Sequence, residues 1–203
     1  MVFALAGGKN QIAELCKRLT VYGFGECEIA VGERLSYPEE RIFQGNVREF
    51  CELETDSLAV FLIWNRRAER REVVCGIPDE QFCRGKVPMT KEEVRSISIS
   101  KLRLWKDAVI YDVGAGTGSV AVEMALQAPD GVVYAVEKNE EAVALLGKNR
   151  VAFAVDHLKI VHGKAPEALE NLPPRHMYLS EVPREISKKF WISSAKKIKR
   201  SGL

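Results

Sequence analysis

The sequence predicts an α/β protein whose main unit is a parallel, Rossmann-like sheet, and three observations carry that prediction. From about residue 88 onward, short apolar runs alternate with helix-period segments: "AVIYDV", a helix, "VVYAVE", a helix, "LKIVHG". A glycine-rich turn, "GAGTG" (114–118), follows the first of those runs directly. An acid, Glu137, closes the second run. In such sheets ligands bind at the carboxyl ends of the strands, where Gly114, Gly116, Gly118, Glu137 and Gly163 all fall.

Residues 1–74 read as a smaller α/β unit of their own. "MVFALA" has strand character and stops at Gly7 and Gly8. Ile12, Leu15, Cys16 and Leu19 then recur at helical spacing until Gly23 ends the helix. "CEIAVG" and "SLAVFLIWN" are strand-like, with "NVREFCEL" a short helix between them. The charged run "NRRAERRE" and the punctuation of "GIPDE" place a boundary near residue 75. In the second unit, 75–203, a helix is expected to start at Thr90, with Glu93 completing a capping box. Strand "AVIYDV" follows, and the helix after Gly118 carries Val120, Ala121, Met124 and Ala128 on one face. "VVYAVE", the helix "EEAVALLGKNRVAF" and strand "LKIVHG" continue the alternation; "APEALENL" reads as a short helix and "HMYLSEV" as a fourth strand.

Bulk properties narrow the classes. In 203 residues with a net charge of +2, 46% hydrophobic and 29% charged, nothing suggests disorder, and no basic, aromatic-interleaved face marks a nucleic-acid binder. The five cysteines are odd in number and contain no C-x-x-C pair, which predicts reduced thiols and a cytoplasmic setting. "MVFALAGGKN" lacks a basic leader region, no run approaches a membrane span, and the three histidines lack metal spacing.

The glycine turn brings backbone and helix N-terminus within reach of a ligand, and an acid at the next strand end can accept hydrogen bonds from ribose hydroxyls. A dinucleotide fingerprint would run G-x-G-x-x-G; here the third glycine comes one residue early. The motif opens on Asp112, a carboxylate that repels a pyrophosphate but suits the cationic amino and sulfonium groups of S-adenosylmethionine. The methyl donor is therefore favoured over NAD. Plainer roles stand beside this reading. The turn can simply pack a helix on a strand, Asp112 cap the turn, Glu137 be solvated, and Thr90 serve as a helix cap, while Ala165 has only its backbone N–H to offer.

"GIPDEQFCRGKVPMTKEEVR" through "GKAPEAL", residues 75 to about 172, resembles the decarboxylating carbon-15 methyltransferase of cobalamin biosynthesis. "RLSYPEERIFQG" and "SLAVFLI" resemble the C-terminal half of the carbon-5 methyltransferase to which that domain is often fused, as precorrin-6Y C-5,15-methyltransferase. The resemblance implies an enzyme that methylates a precorrin-6/7-type ring and removes an acetate carboxylate. Thr90 would contact the methionine end of the donor, and Ala115, Gly116, Thr117, Gly118 and Ser119 would wrap it with backbone amides. Glu137 would hold the ribose and Ala165 the adenine edge; Lys164 stands where family members often carry Asp. The implied partners are a small corrin precursor and another copy of the chain or other chains of the pathway, with neither nucleic acid nor membrane. A catalytic base is not expected. The familiar pattern fades after Leu172, so the sheet is expected to be incomplete at its C-terminal end, with a basic surface helix around Phe190, Trp191 and Ile198. A non-catalytic, donor-binding fragment and an NAD-linked oxidoreductase are the alternatives.

Overall fold

The computed structural model describes residues 1–68 and 75–180, and the chain divides into two units, Met1–Arg71 and Glu72–Leu203. In the first, β1 (Val2–Ala6), β2 (Glu28–Glu33), β3 (Arg41–Asn46) and β4 (Ala59–Trp64) form an antiparallel sheet in the order β1-β4-β2-β3. Helix α1 (Gln11–Val21) buries Ile12 and Cys16 in one cluster with Ile29, Val31 and Phe61 of the sheet. The helix stops where expected: Gly23 adopts φ +82°, and the N–H groups of Gly23 and Phe24 close onto the carbonyls of Thr20 and Leu19. Strand β3 was not anticipated. "RIFQGN" lies at the sheet edge with Ile42 exposed, so it lacks the alternation that marks a half-buried strand. "NVREFCEL" contributes only a 3-10 turn, Val47–Phe50.

The second unit contains α2 (Glu92–Leu102), β5 (Val109–Val113), α3 (Ser119–Gln127), β6 (Val132–Glu137), α4 (Glu140–Ala152), β7 (Leu158–His162) and β8 (Met177–Ser180). Its four strands run parallel in the order β7-β6-β5-β8, as the strand–helix alternation requires. The first strand in sequence thus lies inside the sheet, with the second on one side and the fourth on the other. That reversal of direction makes a crevice at the strand ends.

Two expectations are corrected. Helix α2 begins at Glu92 with Lys91 as its N-cap, and no side chain caps it. Thr90 thus stands one residue before the N-cap, its carbonyl accepting from the Arg95 guanidinium at 2.6 Å, while the Arg95 N–H bonds the Lys91 carbonyl. Helix α3 is buried all round from Ser119 to Ala125 instead of on one face, since it contacts α2 and α4 as well as β5, β6 and β7. "APEALENL" supplies a single 3-10 turn, Glu167–Leu169. The incomplete sheet and basic helix expected of the tail fall on residues 181–203, outside the described residues.

Candidate active site

Strand β5 ends at Val113, and the chain must turn sharply to enter α3 at Ser119. Gly118, the helix N-cap at φ +79°, has no room for a side chain: a Cβ there would stand 2.6 Å from Leu146 Cγ. Gly116, at φ +54°, faces the other way, and its Cβ would meet the Pro88 carbonyl at 3.3 Å. One glycine therefore seats the turn on the core, and the other lets the Pro88 carbonyl come close to it.

Glu137, at the end of β6, is 8% exposed and tied down by backbone. Its Oε2 accepts the Gly116 N–H at 2.9 Å, and its Oε1 accepts those of Lys138 and Asn139 at 2.8 and 2.9 Å. A carboxylate offers about four acceptor directions, so a fourth donor still fits. Glu137 thus links the glycine turn to the loop after the next strand.

The third wall is a strap, residues 76–90, held by two buried polar centres. Arg95 is fully buried; its Nε donates to Glu123 at 2.8 Å, its Nη1 to Asp79 at 2.8 Å and to the Thr90 carbonyl, and its Nη2 to the Ile77 carbonyl. Glu123, 1% exposed, accepts the N–H groups of Gly76 and Ile77. The Arg95 hydrogen bond first, and then Lys91, hold the Asp79 carboxyl below its ordinary range. Asn149, on α4, clasps Cys83 by both N–H and carbonyl and donates a further bond to the Thr117 carbonyl. One buried amide thereby connects strap and glycine turn.

These parts enclose a cavity of about 490 Å³ at the carboxyl ends of β5, β6 and β7. Of the predicted site residues, Gly114, Gly116, Glu137 and Ala165 line it. The others lie behind the wall. Asp112 is buried within β5, flanked by Ala135 of β6 and Leu179 of β8, so the expected charge at the cavity mouth is absent. Thr117 and Ser119 are buried, Ala115 packs on the core, and Gly118 presses on Leu146. Thr90 offers its carbonyl to Arg95 and is not part of the lining.

The expected wrap of free amides is also reduced. Gly114 and Ala115 both donate to Val136, Gly116 to Glu137, and Gly118 to Ala115. The walls that sequence reasoning missed are Lys86, Val87 and Pro88 of the strap, and Lys138, Asn139 and Glu141 after β6. No periodicity marks the strap; its only signal was the resemblance itself.

Comparison with known proteins places this geometry. A family model described as a precorrin methyltransferase domain matches residues 81–179. The chain is 43% identical over 129 residues to a probable cobalt-precorrin-6B C(15)-methyltransferase (decarboxylating) of Sulfurisphaera tokodaii, covering 63% of this chain and 67% of that protein. This chain belongs to the precorrin methyltransferase family. A Pyrobaculum calidifontis protein of the same description is 54% identical over 106 residues, 51% of this chain and 54% of the relative. The chain thus spans between about half and two thirds of the length of these two relatives. Among solved structures, a precorrin-6Y C5,15-methyltransferase from Geobacter metallireducens superposes with a TM-score of 0.57 at 31% identity, over 62% of this chain and 66% of that one. The second unit accordingly has the Rossmann-like sheet of an S-adenosylmethionine-dependent methyltransferase.

Proposed function

We propose that the second unit binds S-adenosylmethionine in the 490 Å³ cavity and methylates a precorrin-type ring with loss of a carboxylate. The observation that carries the reading is the meeting of Gly116, Glu137 and the strap around one nucleoside-sized cavity, in a chain related to decarboxylating precorrin methyltransferases. The residues fit the donor: Gly116 lines the cavity with no side chain to obstruct it, and Glu137 retains acceptor capacity for a ribose hydroxyl. Bound there, the donor supplies an electrophilic methyl group. The protein's share is to orient and to exclude water. Val87, Pro88, Val113 and Val136 give apolar walls, and the pinned strap fixes the approach to the cavity. Rate is then gained by holding the reacting atoms in line at contact distance, worth up to about 7–11 kcal/mol in well-oriented systems.

Residues 1–74 are proposed to be the C-terminal part of a tetrapyrrole carbon-5 methylase domain, on the resemblance of "RLSYPEERIFQG" and "SLAVFLI". Five free cysteines support a cytoplasmic setting, and among the described residues no helix is long and apolar enough to cross a membrane. Association with a second copy or another chain of the pathway is tested by light scattering. Titration calorimetry with S-adenosylmethionine and with NADH tests the donor: heat with the first and none with the second is expected, and the reverse result rejects the methyltransferase reading. Mass spectrometry of a precorrin substrate then checks for a methyl gain coupled to carboxylate loss.

A further inference from the structure

The cavity accommodates a donor made of a nucleoside and an amino acid, and its 490 Å³ lies in the lower half of the range for small-ligand pockets. A four-ring macrocycle bearing carboxylate arms does not fit beside the donor, so the acceptor must present an edge at the mouth. Three lysines stand there on three separate segments: Lys86 on the strap, Lys138 after β6 and Lys164 after β7. All three are exposed while lining the cavity, and none forms an ion pair with another described residue. Lys91 and Lys106, outside the mouth, are by contrast each paired with an aspartate.

Against the three lysines the lining carries two acids, Glu137 and Glu141, which leaves one net positive charge. Glu137 spends its oxygens on three backbone amides beneath the mouth. Glu141 abuts the strap, its Oε1 2.9 Å from where a Cβ on Gly85 would sit. Lys86 is carried by a fixed segment, since Asn149 holds Cys83 and Arg95 holds Thr90 on either side of it.

We propose that Lys86, Lys138 and Lys164 form a carboxylate-reading rim that docks a polycarboxylate tetrapyrrole outside the donor cavity. The inference rests on the methyltransferase reading for the chemistry of the acceptor, since a reaction that ends in decarboxylation requires a substrate bearing a carboxylate. Ammonium groups carried on three separate segments suit carboxylate arms spread around a ring edge, and such rims act mainly on encounter and register. Binding governed by them weakens as salt screens exposed charge.

The test uses the full chain, uroporphyrin as the polycarboxylate probe followed by fluorescence, and S-adenosylhomocysteine followed by calorimetry. Wild-type protein is expected to bind uroporphyrin, more weakly at high salt, and to bind mesoporphyrin, which has fewer carboxylates, more weakly still. Each of K86Q, K138Q and K164Q should weaken uroporphyrin binding by about two- to fivefold. The triple variant should weaken it by roughly tenfold or more, and the triple arginine variant should retain it. Because the three lysines also line the donor cavity, the dissociation constant of S-adenosylhomocysteine is measured in each variant, and the loss of uroporphyrin binding should exceed any loss of S-adenosylhomocysteine binding. The proposal is overturned if wild-type protein ignores uroporphyrin, or if the triple glutamine variant binds it unchanged. It is overturned too if that variant loses S-adenosylhomocysteine instead, since the lysines then serve the donor. A wild-type chain that binds uroporphyrin with the expected salt and lysine dependence but ignores S-adenosylhomocysteine would reject the methyltransferase reading and leave the rim standing.

Discussion

Gly116 and Glu137 share one hydrogen bond, which ties the shape of the proposed donor site to its polarity. A valine at 116 must adopt φ near +54° and push against the Pro88 carbonyl, an arrangement a β-branched residue strongly resists. Gly116→Val is therefore expected to abolish S-adenosylmethionine binding while the circular dichroism spectrum keeps its helical signal. Binding within about threefold of wild type, roughly 0.7 kcal/mol, would mean that the turn only packs. Glu137→Ala removes the acceptor of three backbone amides and the remaining place for a ribose hydroxyl. Charge-assisted bonds contribute about 1.5–3 kcal/mol, so donor affinity should fall about ten- to hundredfold by calorimetry. An unchanged constant would reduce Glu137 to a staple of the turn. Sequence alone singled out both residues, because a glycine turn between strand and helix and an acid at the next strand end converge at the carboxyl edge of the sheet. It could not reveal that Glu137 is already bonded, since that depends on two loops meeting.

At the scale of elements, the strap was the blind spot, and its absence from the sequence reading has a physical cause. Residues 76–90 have no helical or strand period, and what holds them is a buried ion cluster whose members are far apart in sequence. Nothing in the sequence singles out Arg95 or Glu123; burial of both becomes legible only once α2 is seen to lie on α3. The same cluster reaches the entry of α2, which starts at Glu92, through the Thr90 carbonyl. Breaking such a pair strands a buried charge, so Glu123→Ala should destabilise the second unit by about 3–5 kcal/mol in urea unfolding. The double change Arg95→Met with Glu123→Leu should cost less than the single one, because no charge is left uncompensated. In Glu123→Ala the strap should also open to trypsin at Arg84 and Lys86 faster than the rest of the unit. Equal cleavage rates in variant and wild type would show that the strap does not depend on this cluster.

At the scale of the molecule, the parallel sheet was legible because alternating strands and helices permit few other arrangements, whereas the antiparallel sheet of the first unit was not, its third strand lacking any pattern. The two units have separate cores: Ile12, Ile29 and Val31 belong to one cluster, and Ile110, Met124, Leu146 and Leu158 to another. Every residue lining the proposed donor cavity lies between Lys86 and Ala165, inside the second unit. If the donor site is built by that unit alone, a polypeptide of residues 75–203 should fold and bind S-adenosylmethionine with a dissociation constant within about twofold of the whole chain, a difference near 0.4 kcal/mol. Residues 1–74 expressed alone should give no binding heat. Calorimetry on the two polypeptides and the intact chain measures this directly. A second unit that folds, by its thermal transition, yet binds more than about tenfold more weakly would show that the first unit contributes more than 1 kcal/mol to the site.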